Sequence, residues 1–178
     1  MAQVTTLHTE RLTLRPYTVD DADFVLDMYA RWEVQRFLGT TPRVMADRAE
    51  ALERIARWSS IDDPVQGIWL ALDTNTDERL GTLLLKDLPA SGTSGQPSGD
   101  IEIGWHLHPA AWGRGIATEG ARGVLAHAFG HGLEKVLAVV YAENVASQRV
   151  AERIGMRPLG PTTAYYDTEC LLFRVDAP

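Results

Sequence analysis

The segment HPAAWGRGIATEG, residues 108–120, surrounds one arginine with glycines and leads directly into a run with helical periodicity. Gly113 and Gly115 leave the backbone without Cβ atoms where the free N–H groups and the dipole of a helix start attract anions. A phosphate or pyrophosphate fits such a turn, with Thr118 offering a hydroxyl and Arg114 a balancing positive charge. The structural alternative is a tight strand-to-helix connection that needs glycine only for its dihedral angles.

The flanking segments indicate which elements the glycine turn joins. DIEIGWHL, residues 100–107, has the pattern of a strand. The run after the turn has helical periodicity over about residues 115–131, and KVLAVVYA, residues 135–142, is a continuous apolar run typical of a buried central strand. The glycine spacing fits neither GxGxxG nor GxxxxGK[ST], so the two familiar nucleotide-binding loops are excluded.

The rest of the chain carries strand and helix signals in a regular order. Period-two alternation predicts strands, and apolar residues at helical spacing predict helices. The expected elements are a strand at 10–17, a helix capped by Thr18 that buries Phe24, Val25, Met28 and Tyr29, a helix at about 43–58, a hairpin of 67–73 and 79–88, a helix at 144–155 and a last hairpin of 156–160 and 168–175. PASGTSGQPSG, residues 89–99, is expected to be a mobile loop with nothing to pack.

Composition limits the class of protein. With 178 residues, 45% apolar and 23% charged, the sequence fits one domain over residues 1–178 with a substantial core. Its longest apolar run, Val136 to Ala142, is far shorter than a membrane span of roughly 18 residues, and the N-terminus lacks the regions of a signal peptide. We therefore expect a soluble, cytoplasmic protein without a membrane partner. Cys170 is the only cysteine, which excludes an intrachain disulfide and a cysteine-based metal cluster.

Charge and histidine placement limit the partners. The net charge of −7 and the pI near 5.2 argue against a nucleic-acid partner, because the sequence concentrates no basic patch. The same charge is compatible with a cationic partner. His8, His127 and His131 show no spacing typical of metal ligands, and no metal is expected.

Four separated motifs resemble one family. WGRGIA, residues 112–117, is similar to the acyl-coenzyme A pyrophosphate loop of the GNAT superfamily of N-acetyltransferases, whose pattern is Gln or Arg, two residues, Gly, one residue, then Gly or Ala. Gly115 and Ala117 match its small positions, whereas Trp112 departs from its first. TERLTLRPY, GWHLHP and NVASQRVAERIGM resemble the subgroup that includes ribosomal-protein N-terminal (alanine or serine) acetyltransferases. The resemblance covers about residues 9–175.

The resemblance implies a fold and an activity. The expected fold class is α+β (mixed α/β), with a strongly twisted mixed sheet flanked by about four helices. Its fourth strand, 100–107 here, and its fifth, 135–142, splay apart into a V that holds the pantetheine of acetyl-CoA. The implied reaction transfers the acetyl group from acetyl-CoA to a primary amine, such as a protein N-terminus or a small amine, by direct attack in a ternary complex. The expected assembly is a monomer or a homodimer.

The phase of the strand at 100–107 identifies candidate bases. Glu102 is opposite in phase to Ile101 and Ile103, so we expect it to face the cleft and relay a proton through water. A solvated strand carboxylate is the alternative. His106 shares the phase of Glu102 and is a second candidate, either as a base or as a structural histidine.

The resemblance also implies an acid and an oxyanion donor. The family's usual tyrosine falls at Ala151 and is missing, so Ser147 of the Asn-x-x-Ser motif is the expected acid, with a helix-surface serine as the alternative. A backbone N–H near Leu107 would stabilise the oxyanion. Asn144 would bind pantetheine, with a helix N-cap as the alternative, since one side chain could serve as either. The missing tyrosine keeps open an acyl-CoA-binding sensor or interaction module without turnover.

Two sets of contacts follow from the resemblance. The expected acetyl-CoA contacts are His106, Leu107, Trp112, Gly113, Arg114, Gly115, Ile116, Ala117, Thr118, Asn144 and Ser147. The expected acceptor contacts, in segments that line the acceptor groove in relatives, are Trp32, Glu33, Arg36, Phe37, Tyr165 and Tyr166. Aromatic residues in loops are alternatively ordinary covers of the core.

Overall fold

Eight strands form one mixed sheet in the computed structural model, which describes residues 4–178. Their spatial order runs from β1 to β6 and ends with β8 and β7, and only the β5–β6 pair is parallel within this range. The strands are β1 (Leu7–His8), β2 (Leu12–Pro16), β3 (Gly67–Asp73), β4 (Arg79–Pro89), β5 (Pro97–Leu107), β6 (Lys135–Val140), β7 (Arg157–Thr162) and β8 (Cys170–Asp176). The helices are α1 (Ala22–Tyr29), α2 (Trp32–Gln35), α3 (Arg48–Ser59), α4 (Ile116–Gly130) and α5 (Val145–Arg153).

Each face of the sheet has its own apolar core, because strand alternation sends neighbouring side chains to opposite faces. Leu83 and Ile103 pack on the face that α4 covers, whereas Leu70 and Leu84 pack on the face that α1 and α3 cover. Burying side chains of this kind stabilises a fold by about 1.5–3 kcal/mol each. α4 approaches closely because Gly120 lies over Leu83, where a Cβ would come within 3.0 Å of a methyl carbon.

β5 and β6 separate after one point of contact. The pair Glu102–Leu137 is the only ladder position that joins them in the described chain. β6 is instead paired along its whole length, Lys135–Val140, with β8. The expected splay of these two strands is therefore confirmed, and the opening lies in the middle of the sheet.

The mixed α/β architecture confirms the expected fold class, and local effects explain the differences in boundaries. α3 begins at Arg48 rather than near residue 43, because Asp47 caps it and accepts a hydrogen bond from Glu50 N at 3.0 Å. β6 ends at Val140 rather than at residue 142. The sequence did not indicate α2, which has four residues, or β1, which has two, because such short elements cannot show a hydrophobic period. Residues 4–178 thus contain five helices rather than about four.

The segment at 89–99 is packed, contrary to expectation. β4 and β5 extend into it from either side, leaving a short turn. Ser91 Oγ donates a hydrogen bond to Thr163 O at 2.7 Å, and Gly92 N donates one to the carboxylate of Asp167 at 2.6 Å. The expectation that nothing packs here is wrong because both partners lie far along the chain, where composition gives no signal.

The helices described are all short. The longest, α4, has 15 residues. Between residues 4 and 178, none combines the length and the apolar character that crossing a membrane requires.

Candidate active site

The glycine turn lies between the end of β5 and the start of α4, as the sequence predicts. Gly113 and Gly115 have φ angles of 73° and 75°, in the left-handed region that favours glycine. Apart from its two chain neighbours, no atom of residues 4–178 lies within 4 Å of the position that a Cβ would take at Gly113. The first hydrogen bond of α4 joins Glu119 N to Gly115 O, so the N–H groups of the first turn remain open to a ligand. Gly113 and Gly115 therefore adopt backbone angles that favour glycine, and they also leave space for an anion.

A guanidinium that sequence reasoning missed lies beside this turn. Arg11 Nη1 donates a hydrogen bond to Arg114 O at 3.0 Å, and Arg11 Nε donates one to Glu119 at 2.6 Å. Glu119 also accepts a hydrogen bond from Thr9 Oγ1 at 2.6 Å. Burial acts to raise the pKa of Glu119, but these hydrogen bonds outweigh it and lower the pKa. The available signal was that Arg11 belongs to the TERLTLRPY motif.

The arginine within the turn is already paired. Arg114 Nη1 and Nη2 lie 3.2 and 3.1 Å from the two carboxylate oxygens of Glu78. In this structure Glu78 balances the charge that we expected Arg114 to offer to a phosphate. Arg11 is likewise paired, with Glu119 at 2.6 Å, but its Nη2 lies at the turn, where it would be 3.4 Å from a Cβ at Gly115.

The other expected contacts around the turn differ in exposure. Trp112 is 50% exposed, and its indole N–H donates a hydrogen bond to Leu107 O at 3.1 Å. Ile116 and Ala117 are buried against the core, whereas Thr118 is half-buried in the first turn of α4. Among the expected contacts in this turn, Thr118 therefore places a hydroxyl near the open N–H groups at the start of α4.

A cavity of about 220 Å³ fills the split between β5 and β6. We call it the cleft cavity. The expected site residues in its wall are Phe37, Glu102, His106, Asn144, Ser147 and Tyr166. The polar or reactive residues in its wall that the sequence analysis did not select are Lys86, Tyr141, Thr168 and Cys170.

A carboxylate, an ammonium and a phenol meet in the wall of the cleft cavity. Glu102 is 6% exposed, and Lys86 Nζ lies 3.0 Å from its Oε1. The Tyr166 hydroxyl donates a hydrogen bond to the same oxygen and accepts one from Lys86 Nζ at 2.8 Å. Burial and the charge of Glu102 raise the pKa of Tyr166, so the phenol keeps its proton. Tyr166 has a φ of 58°, which is unusual for a residue other than glycine.

His106 belongs to a buried chain of hydrogen bonds. Its Nδ1 lies 2.9 Å from the hydroxyl of Tyr29, which lies 2.9 Å from Thr82 Oγ1. The Tyr17 hydroxyl lies 2.7 Å from the same Thr82 oxygen. Burial lowers the pKa of His106 to about 3, helped by the positive charges of Arg54 and Lys86. His106 is therefore neutral at physiological pH.

The start of α5 supplies the last polar groups of the cleft cavity. Asn144 is the N-cap, and its Oδ1 accepts a hydrogen bond from Ser147 N at 3.2 Å. The Ser147 hydroxyl has no hydrogen-bond partner within residues 4–178. The capping role that the sequence left open for Asn144 is confirmed, and the free hydroxyl lies in the cavity wall.

The expected acceptor residues are not all brought together. Phe37 and Tyr166 line the cleft cavity. Tyr165 lies outside it and donates a hydrogen bond to Asp100 at 2.9 Å. The remaining three, Trp32, Glu33 and Arg36, are exposed and line neither cavity described here.

A second cavity, of about 640 Å³, adjoins the first on the face of the sheet that carries α1 and α3. We call it the arginine cavity because Arg43, Arg54 and Arg57 line it. The walls of both cavities include Leu38, Gly39, Leu84, Lys86 and His106. Lys86 was the residue that strand register could have predicted, since it lies directly opposite Glu102. The arginines of α3 carried no such signal.

Within residues 4–178, no group of three or more His, Cys, Asp or Glu side chains could hold a metal ion. A split sheet with an open glycine turn at the end of β5 and a buried carboxylate in the cleft defines the geometry of an acyltransferase of the coenzyme A-dependent kind. Comparison with known proteins gives the family.

The chain matches the model of the acetyltransferase (GNAT) domain over residues 11–157, and it belongs to that family. It is 29% identical to an uncharacterised N-acetyltransferase, YoaA, of Bacillus subtilis, over 89% of this chain and 86% of that one. A putative GNAT-family acetyltransferase of Bordetella pertussis has a TM-score of 0.73 with 26% identity, covering 96% and 98% of the two chains. A putative ribosomal-protein-serine acetyltransferase of Vibrio cholerae has a TM-score of 0.78 with 18% identity, covering 99% of both. The chain is therefore an acyl-CoA-dependent N-acyltransferase.

Proposed function

We propose that the protein transfers an acetyl group from acetyl-CoA to a primary amine by direct attack in a ternary complex. The observation that carries the proposal is the layout of β5. Its buried Glu102 lies where the cleft opens, and its end leads into the open glycine turn. One end of the cleft therefore suits a base, and the other end suits an anion.

The residues present fit acetyl-CoA. Gly113 and Gly115 leave open N–H groups at the start of α4, where a pyrophosphate would be stabilised. Arg11 and Thr118 would add a guanidinium and a hydroxyl to that site. When bound, acetyl-CoA supplies a thioester whose carbonyl carbon reacts with the amine. The backbone groups of β5 that β6 leaves unpaired would hold the pantetheine arm.

Glu102 is the proposed base. Its carboxylate would accept the proton of the incoming ammonium through water, leaving a neutral amine that can attack. Lys86 and Tyr166 both contact its Oε1 and hold the carboxylate in the wall of the cleft cavity. His106 is the weaker candidate, since a pKa of about 3 leaves it with little affinity for a proton.

Ser147 is the proposed acid. Its hydroxyl lies in the wall of the cleft cavity without a partner inside the described chain, so it is available to protonate the departing thiolate. Cys170 lies in the same wall, but burial raises the pKa of its thiol and keeps it neutral. A neutral thiol is a poor nucleophile, which favours direct transfer over a covalent enzyme intermediate.

The acceptor we propose is a primary amine, of which a protein N-terminus is one example. The motif resemblance and the shared fold of the Vibrio cholerae protein, named as a putative ribosomal-protein-serine acetyltransferase, support this choice. The second candidate function is a coenzyme A sensor without turnover. It is favoured by Ala151, which occupies the position of the family's usual tyrosine.

The test is a calorimetric titration of the native chain and of Gly115→Asp with acetyl-CoA. The substitution places a negative carboxylate where the pyrophosphate is proposed to lie. Gly132→Asp is the matched control, because Gly132 also has a positive φ of 88° but lies beyond the other end of α4. Circular dichroism and thermal unfolding establish that both variants remain folded.

The outcomes separate the two candidate functions. We expect micromolar binding that Gly115→Asp abolishes and Gly132→Asp retains, together with release of free coenzyme A when an amine is added. Binding without release of coenzyme A for any amine in a broad panel would favour the sensor. No binding by the folded native chain would overturn the proposal.

A further inference from the structure

The arginine cavity carries positive charge that no ion pair within residues 4–178 neutralises. Arg43 is paired with Glu50 at 3.0 Å, and Lys86 is paired with Glu102. Arg54 and Arg57 have no carboxylate within ion-pair distance among residues 4–178. A protein with a net charge of −7 thus gathers two unpaired guanidinium groups in one wall of a cavity.

The position of Arg54 is unfavourable for a cation without a partner. It is half-buried on α3, with its guanidinium 4.4 Å above the ring of Tyr29. Burial is the largest cause that lowers the pKa of Arg54. The charges of Arg57 and Arg43 act in the same direction, whereas Tyr29 and Glu50 oppose them without restoring the usual pKa. The stacking on Tyr29 orients the guanidinium but does not balance its charge. A bound anion would balance it.

A second group in the wall also lacks a partner. Gln35 is 7% exposed, and its Oε1 is buried without a hydrogen bond in the described part of the chain. A buried acceptor left unsatisfied costs free energy, and an N–H donor of a ligand would satisfy it. Gln35 lies on α2 and Arg54 on α3, so they line the arginine cavity from two different elements.

We propose that the arginine cavity binds a carboxylate or phosphate group that belongs to the acceptor, so the acceptor is an amine that also carries an anion. The guanidinium groups of Arg54 and Arg57 hold the anion, and Gln35 Oε1 accepts an N–H of the same ligand. This inference rests on the proposed acetyl transfer and specifies its substrate class. A guanidinium group can donate two parallel hydrogen bonds to either a carboxylate or a phosphate, so the same two arginines suit both anions.

The two cavities adjoin and share several lining residues, so one ligand can place its anion in the arginine cavity and its amine in the cleft cavity. Lys86 and His106 line both, and Lys86 contacts the proposed base, Glu102. An acceptor anchored in the arginine cavity would therefore extend its amine toward Glu102. The net charge of the chain suggests a cationic acceptor, but the local charge of this cavity favours an anionic one.

The first test compares acceptors that differ only in charge. 4-Aminobutyrate is compared with 4-aminobutyramide, O-phosphoethanolamine with ethanolamine, and a short C-terminally amidated peptide with Glu at its second position with the same peptide carrying Gln. Acetylation is followed by coenzyme A release in the native protein, Arg54→Gln and Arg57→Gln. Arg48→Gln is the matched control, since Arg48 lies on the same helix, pairs with Asp23 and lines neither cavity.

We expect the anionic member of at least one pair to react with a lower KM. Arg54→Gln and Arg57→Gln would each raise that KM roughly 10- to 100-fold, the range for a hydrogen bond to a charged group. The KM of the member without the anion and the Kd of acetyl-CoA would not change. Arg54→Lys would restore part of the loss if the charge matters. The pair whose anionic member has the lower KM identifies the anion as a carboxylate or a phosphate. A lower KM for the peptide with Glu would indicate that a protein segment carries the anion.

The second test does not depend on turnover. The side-chain Nε–H resonances of Arg54 and Arg57 are followed by NMR during titration with glutarate, inorganic phosphate or neutral glutaramide. We expect saturable shifts with glutarate or phosphate and none with glutaramide. Acetylation of amines without a preference for the anionic member, or a preference that both substitutions leave intact, overturns the inference while the proposed function stands. Anion-induced shifts without turnover of any acceptor leave the anion site standing and overturn the proposed function.

Discussion

The hydroxyl of Tyr166 donates a hydrogen bond to the same carboxylate oxygen of Glu102 that Lys86 contacts. Lys86 reaches it from the neighbouring strand, whereas Tyr166 reaches it from the segment before β8. A carboxylate held from two sides can keep one orientation toward the cleft. The proposed base is therefore positioned by contacts on distant parts of the chain.

Tyr166→Phe removes that hydroxyl and leaves the ring in place. We expect kcat to fall about tenfold, the loss of roughly 1.4 kcal/mol that one hydrogen bond to a charged group accounts for. The Kd of acetyl-CoA from calorimetry should not change. Tyr165→Phe is the control, because it removes only the hydrogen bond to Asp100 outside the cleft cavity. Equal losses in both variants would contradict a positioning role for Tyr166.

Glu102→Gln replaces the proposed base with a side chain of the same shape that cannot take up a proton. Turnover should fall roughly 100- to 10,000-fold, while acetyl-CoA binding is retained. Steady-state release of coenzyme A measures the first quantity and calorimetry the second. Asp100→Asn, two residues earlier on β5, should keep most of the activity. A Glu102→Gln variant with native kcat would exclude Glu102 as the base.

His106 should make the stability of the fold depend on pH near neutrality. Its pKa falls from 6.5 in the unfolded chain to about 3 in the fold, so the unfolded chain takes up a proton first as pH falls. The stability that the neutral histidine contributes is present above about pH 6.5 and is lost progressively toward pH 3. Between pH 7 and pH 5 this amounts to about 2 kcal/mol.

Urea unfolding at the two pH values measures that loss. His106→Gln should show a smaller decrease than the native protein, whereas His8→Gln, at an exposed position, should match the native decrease. Activity that followed the protonation of His106 near pH 6.5 would contradict its neutral state in the fold.

Asp21 should control stability at a lower pH. It is fully buried, and burial acts to raise its pKa, but hydrogen bonds from Arg15, Thr18 and Arg79 lower the pKa from 3.8 to about 2. The contribution, about 2 kcal/mol, is present above pH 3.8 and is lost as pH falls toward 2. Asp21→Asn should remove at least that much at pH 7, measured by urea unfolding. Asp23→Asn, at a highly exposed carboxylate, should change stability by less than about 0.5 kcal/mol.

Local patterns in the sequence predicted most of the sheet and the position of the glycine turn. Leu12 and Leu14 alternate with polar residues and are both fully buried in β2. Gly113 and Gly115 lie in one contiguous motif, so their position at the start of α4 followed from sequence neighbours alone. Signals of this kind reach only a few residues along the chain.

Contacts between distant segments could not be predicted in the same way. In the sequence, Arg54 has the pattern of an exposed helix surface, and nothing distinguishes Gln35 from other polar residues. Only the folded structure places the two in the wall of one cavity. The partners of Ser91 likewise lie more than seventy residues away, at Thr163. The side chains that line the arginine cavity are therefore brought together by tertiary packing, whereas the residues of the glycine turn are brought together by local spacing.

The backbone of Tyr166 adopts a left-handed conformation that costs an ordinary residue about 1–2 kcal/mol and glycine almost nothing. Glycine at this position would relax the backbone, but it would also take away the phenol beside Glu102. Tyr166→Gly thus sets the relief of the strained turn against the proposed catalytic role of the same residue, because that relief comes only with loss of the hydroxyl that contacts the proposed base. Selection for thermal tolerance alone would discard this tyrosine, and selection for turnover would restore it.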